Sequence, residues 1–251
     1  MEKMLRNILK YNGAGKAKFL ADMDNLASNI IKPTTVFFSC IDSRVLAANF
    51  TRPDSGETFF VQNAGNMVPH FQSIVSGQMS TEGAALELGC LSKGIRSVVV
   101  CGHSDCKAVH ALYDMRSVCD HTKYHPDSPL MSWVAFHGKN TVKKFSDSQN
   151  TSTGPNTFTF SIGGKEVKAI IDSENQFDVQ DKLSQLHCLQ QASHVSSYPF
   201  LHSLIQSGEL TVNALWFDVQ SGYVYMFSPK DERFVIVTEE NLDTLLSIIT
   251  K

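Results

Sequence analysis

The chain has 251 residues, of which 42% are hydrophobic and 19% charged, and its net charge is −3. That is ordinary globular composition, and it argues against a general nucleic-acid binder, which carries a basic stripe. No apolar run approaches the roughly 20 residues of a membrane span, and six cysteines fall far short of a disulfide scaffold.

The first twenty residues place Lys3, Arg6, Lys10, Lys16 and Lys18 against a single acid, Glu2, with Met4, Leu5, Ile8 and Leu9 at helical spacing. Two readings fit: a mitochondrial presequence, or a surface helix that packs on a partner subunit. Residues 1–30 are therefore expected to form an N-terminal helical arm. The start shows no secretory pattern, so the expected compartment is mitochondrial or cytoplasmic, the cysteines are read as reduced, and the sequons at Asn49 and Asn150 are chance matches. Gly13-Ala14-Gly15-Lys16 lacks the full phosphate-loop pattern and follows no strand.

Three apolar runs come next: Thr34 to Ser39, Thr58 to Asn63 and Ser97 to Cys101. Runs apolar on both faces suit strands buried in a parallel sheet. Ser80 to Leu91 separates the second and third as a helix, with Thr81 as its cap. Ser128 to Phe145 is helical, Ser146 to Asn156 a polar loop, and Thr157 to Ile171 a hairpin turning on Gly163-Gly164. Phe177 to Ser207 is helical and kinked or split before Pro199. Thr211 to Val219, Tyr223 to Ser228 and Arg233 to Val237 read as three closing strands. The expected fold class is α/β: a mostly parallel central sheet flanked by helices, with C-terminal antiparallel strands. One domain, residues 1–251, is expected, with residues 146–171 as a variable loop and hairpin.

The first and third runs end in unusual chemistry. Cys40-Ile41-Asp42-Ser43-Arg44 follows one, and His103-Ser104-Asp105-Cys106 follows the other. Ligands of open parallel sheets sit beyond the carboxyl ends of strands, so Cys40, His103 and Cys106 can share one site. Two thiolates and an imidazole are zinc ligands by type, and three protein ligands leave the fourth position open for chemistry. Asp42 lies close enough to bind a group at that position, or to close it by binding the metal. A two-pronged bond from Arg44 to Asp42 would decide between these states. Cys101 admits two readings, a fourth ligand or a core thiol, and its place inside an apolar run favours the thiol. Cys90, Cys119 and Cys188 have no partners at metal spacing. Phe59, Phe60 and Val61 are candidate apolar walls or simply core.

With CIDSR, VQNAGN and CGHSDC in place, the chain resembles the β-class carbonic anhydrases, and DKLSQL and ALWFD resemble their animal members. The resemblance implies that Cys40, His103 and Cys106 bind Zn2+ and that Asp42 and Arg44 are the catalytic dyad. It implies reversible hydration of carbon dioxide to bicarbonate and a proton by attack of zinc-bound hydroxide, in a homodimer or larger assembly. Some members close the site with the aspartate and hold bicarbonate in a second pocket built on a Trp and an Arg; here those positions are Phe37 and Gln62. A Gln and a Tyr of other members are replaced by Ile31-Lys32 and Leu88, and no histidine stands out as proton shuttle. Two rival functions remain: hydrolysis of carbonyl sulfide or carbon disulfide on the same scaffold, and a non-catalytic module with a structural zinc. No nucleic-acid or membrane partner is expected.

Overall fold

A computed structural model describes residues 1–28, 32–77, 79–117, 127–149 and 157–249. The apolar runs form β1 (Thr35–Cys40), β2 (Thr58–Asn63) and β3 (Ser97–His103). Later strands are β4 (Thr157–Ile162), β5 (Lys165–Ile170), β6 (Thr211–Phe217), β7 (Val224–Ser228) and β8 (Arg233–Ile236). Six of them make one sheet in the order β2-β1-β3-β6-β7-β8. The first four run parallel and the last two turn back antiparallel, as the sequence pattern predicts. Among the described residues β4 and β5 form a separate two-stranded sheet, turning on Gly163 and Gly164 at positive φ.

The helices are α1 (Glu2–Lys10), α2 (Lys16–Ala27), α3 (Ala47–Thr51), α4 (Phe71–Val75) and α5 (Thr81–Leu86), then α6 (Lys107–Asp114), α7 (Pro129–Gln149), α8 (Val179–Val195), α9 (His202–Gln206) and α10 (Leu242–Ile249). No helix among the described residues is long and apolar enough to cross a membrane.

Strand alternation splits the core between two faces. Val36, Phe38, Val98, Val100 and Ala214 share the larger core with Leu112 of α6, Val134 and Val142 of α7, and Leu183, Leu186 and Leu189 of α8. Phe38 is fully buried there, a contribution of about 2–3 kcal/mol. The other face gathers Phe37, Ala47 and Cys101, with Phe50, Val99, Leu215 and Phe217 packed around them.

Four elements depart from expectation. α5 is capped by the Ser80 hydroxyl, which accepts from the Gly83 amide, not by Thr81; Ser80 has the extended backbone a cap requires. α7 runs to Gln149, into the segment read as loop, because Ser146, Asp147 and Ser148 are polar without breaking a helix. The remainder of that loop, and Cys119, lie outside the described residues. α10 falls beyond the last predicted strand and was not expected. The helix from Phe177 begins at Val179 and ends at Val195, with a single 3-10 turn at Pro199 leading into α9. α1 and α2 are joined through a π-helical turn at Tyr11–Gly15, and Asp22 is the only buried residue on either.

Candidate metal centre

β1 and β3 are parallel neighbours, Ser39 standing opposite Cys101, so their carboxyl ends lie side by side. Cys40 closes β1, His103 closes β3, and Cys106 is the N-cap of α6. Their ligand atoms lie within 4.8 Å of one another and all three residues are buried. The two sulfurs are 4.0 Å apart; sulfurs about 2.3 Å from a tetrahedral zinc would be separated by about 3.8 Å. His103 Nδ1 faces the Ser104 carbonyl at 2.8 Å, while its Nε2 is buried with no hydrogen-bond partner. A buried ring nitrogen left unpaired is costly unless a metal takes it, so the donor set fits zinc.

The two thiols titrate as a pair. The Cys106 S–H, together with His103 and the Gly65 amide at 3.4 Å, holds Cys40 far below an ordinary thiol, and Cys106 is correspondingly raised by Cys40 and by burial. A thiolate, the form that binds metal, is thus favoured at Cys40 within the protein's own framework. Gly65 reaches the sulfur because its φ is +82°, which glycine adopts without strain, and a Cβ there would press on Ala108 at 3.2 Å.

Asp42 and Arg44 sit on the turn after Cys40. Arg44 Nε donates to Asp42 Oδ1 at 3.0 Å and Nη2 to Oδ2 at 2.7 Å, and the Arg44 amide adds a bond of 2.9 Å. The guanidinium bonds hold the Asp42 carboxyl at about 2, and Arg44 is raised in return. Arg44 also reaches Asp105, whose pKa Lys107 and Arg44 together hold at about 2. His110 Nε2 lies 3.7 Å from the same carboxylate.

Sequence reasoning missed the residues that fix the ligand loops. The inner face of α8 is polar. Asp181 accepts the Asp105 amide at 2.7 Å, and Ser184 donates to the His103 carbonyl at 2.6 Å. His187 faces the Gly65 carbonyl at 2.9 Å; Gln191 accepts the Val68 amide and His194 faces the Val68 carbonyl, each at 2.8 Å. The signal was present as polar residues at positions 181, 184, 187, 191 and 194, one helical face. Asn63 pins the same loop through both the amide and the carbonyl of Met67. Ser104 is fixed by Asp218 at 2.8 Å.

The other sequence candidates fall elsewhere. Cys101 lies one pleat back from His103, packs on Phe37 and Ala47, and is outside the ligand group; burial raises its thiol. Cys90 and Cys188 are buried and raised to about 11 and about 12 by desolvation. Phe59 and Val61 pack on the larger core, whereas Phe60 meets Phe37 at 5.7 Å on the opposite face. Phe37 is packed among rings, and Gln62 donates to the Cys40 carbonyl at 3.2 Å.

The family model described as carbonic anhydrase matches residues 35–224, a span that holds all three proposed ligands and both dyad residues. The chain belongs to the carbonic anhydrase family. It is 36% identical to beta carbonic anhydrase 1 of Caenorhabditis briggsae, over 98% of this chain and 91% of the relative. Against beta carbonic anhydrase 1 of Caenorhabditis elegans the identity is 35%, over 98% and 92%. Membership is thus in the β class, with the resemblance to animal members upheld. The solved structure of the beta-carbonic anhydrase CcaA superposes with a TM-score of 0.72 at 22% identity, covering 95% of this chain and 92% of that one. A tetrameric beta-carbonic anhydrase of Sordaria macrospora gives 0.60 at 14% identity, over 90% and 98%. These two share the fold.

Proposed function

We propose that this chain hydrates carbon dioxide reversibly to bicarbonate and a proton, with zinc held by Cys40, His103 and Cys106. The observation that carries the reading is the buried, unpartnered His103 Nε2 facing two close sulfurs, beside a carboxylate already engaged by an arginine. Zinc in this site supplies Lewis acidity, which makes water nucleophilic near neutral pH.

The chain's own residues supply the rest. Arg44 takes both oxygens of Asp42, so the carboxylate is held ionised and engaged, with lone-pair capacity left to accept a hydrogen bond from a group beside the three ligands. The Gly65 amide and the N-terminus of α6 stabilise sulfur charge, and Ser184 and Asp181 hold the backbone on both sides of Ser104. The engagement of Asp42 by Arg44 speaks against a closed, purely structural metal. Phe37 and Gln62 offer neither an indole nor a guanidinium, so bicarbonate has no charged second pocket with which to favour an aspartate-closed state. The test is zinc content and carbon dioxide hydration, with and without a chelator. Activity that persists with the metal removed sinks the proposal.

The same reading includes assembly and place. The helical arm, residues 1–28, presents Met4, Leu5, Ile8 and Leu9 to solvent, an apolar stripe suited to a second copy in a homodimer or larger assembly. Residues 1–251 act as one domain, of which this arm is part. Mitochondrial import of the basic, amphipathic N-terminus or cytoplasmic residence fits its composition.

A further inference from the structure

The Arg44 guanidinium is gripped from two sides. One edge is bidentate on Asp42. The remaining terminal nitrogen, Nη1, donates to Asp105 Oδ2 at 2.8 Å, and Nη2 also donates to the Asp105 carbonyl at 3.1 Å. A planar fork on one carboxylate can pivot about that contact; a fork between two cannot turn without breaking one of them. The second grip matters because the Arg44 side chain is 41% exposed, and an isolated exposed pair holds its geometry weakly.

Asp105 is itself set in place. Its φ is +52°, in the left-handed region that Asp and Asn enter more readily than other non-glycine residues. Its amide is spent on Asp181, a buried carboxylate in the first turn of α8. Lys107 occupies Oδ1 and leaves Oδ2 to Arg44. Charges therefore alternate along Asp42, Arg44, Asp105 and Lys107.

We propose that Asp105, oriented by Asp181, is a positioning residue for the dyad: it immobilises Arg44 so that Asp42 remains on the arginine and away from the metal. This rests on the reading that the Asp42–Arg44 pair governs the fourth position.

The experiment uses Asp105→Gly and Asp105→Asn, both compatible with positive φ, alone and with Arg44→Ala. Each protein is assayed with zinc for hydration. Each is also loaded with cobalt and titrated with azide, whose binding at the fourth position is read from the visible spectrum. Asp105→Gly is expected to keep full metal content, to bind azide about five- to tenfold more weakly because Asp42 now competes, and to lose rate by a similar factor. Asp105→Asn, which keeps an oxygen acceptor, recovers part of both. With Arg44 already removed, Asp105→Gly should change neither. Unchanged azide affinity in Asp105→Gly, or a further loss of full size in the Arg44→Ala background, overturns the proposal. Arg44→Ala without effect on azide or rate overturns the dyad reading itself, and Asp105 with it.

Discussion

Mild acid should destabilise this fold through α8. His187 and His194 are buried between α7, α8 and the loop after β2, with Thr141, Gly65, Asn140 and Val68 around their ring nitrogens. Burial lowers His187 to about 4 and His194 to about 3, against 6.5 in an unfolded chain. Desolvation holds His137 at about 4. The unfolded chain thus takes up protons that the folded chain refuses, so stability is full above pH 6.5 and is lost as pH falls toward the folded values. One refused proton is worth about 1.4 kcal/mol per pH unit. Each histidine then removes about 2 kcal/mol at pH 5, and the three together about 6 kcal/mol, comparable with the whole stability of many domains. Asp42 and Asp105, held near 2, act only below about pH 4. Urea unfolding followed by circular dichroism from pH 7 to 4.5 measures the slope. Zinc release also consumes protons, so the decisive comparison is with His194→Gln, whose slope should be shallower by about one proton. Equal slopes in the two proteins would refute the argument.

Cys106→Ser should reduce zinc from about one per chain to well below that and abolish hydration, as read by metal analysis and stopped flow. Gly102→Ala places a Cβ 3.0 Å from Cys188 Cβ and from Trp216 Cδ1; a cost of about 1–3 kcal/mol should appear as a lower urea midpoint with an unchanged m-value. Replacing Leu5 and Ile8 together with Glu should leave the fold intact and reduce the assembly size seen by light scattering; an unchanged size would remove the arm from the interface.

The central strands were legible because both faces of β1 and β3 are covered, which leaves runs such as Val36-Phe37-Phe38 with no polar alternation. The ligands were legible because Cys40, His103 and Cys106 stand at strand ends, where the chain turns and side chains converge. α8 was harder to read. Its buried face carries Asp181, Ser184, His187, Gln191 and His194, a pattern that a helix normally turns to water. Asp105 looked like a spacer between two ligands, since the contact that defines it comes from Arg44, remote in sequence. α10 follows strands with no strong punctuation before it, and Leu245 is its only fully buried residue.

The pegging of α8 also has a dynamic meaning. Five polar side chains on one rigid rod hold backbone groups of both the 65–68 loop and the 103–105 loop. Neither loop can loosen at its peg without stripping a buried partner on the helix, and a small rotation of the helix disturbs both. The two halves of the site should therefore open as one cooperative unit. Hydrogen exchange at the Val68 and Asp105 amides would then report the same free energy, though 37 residues separate them in the chain.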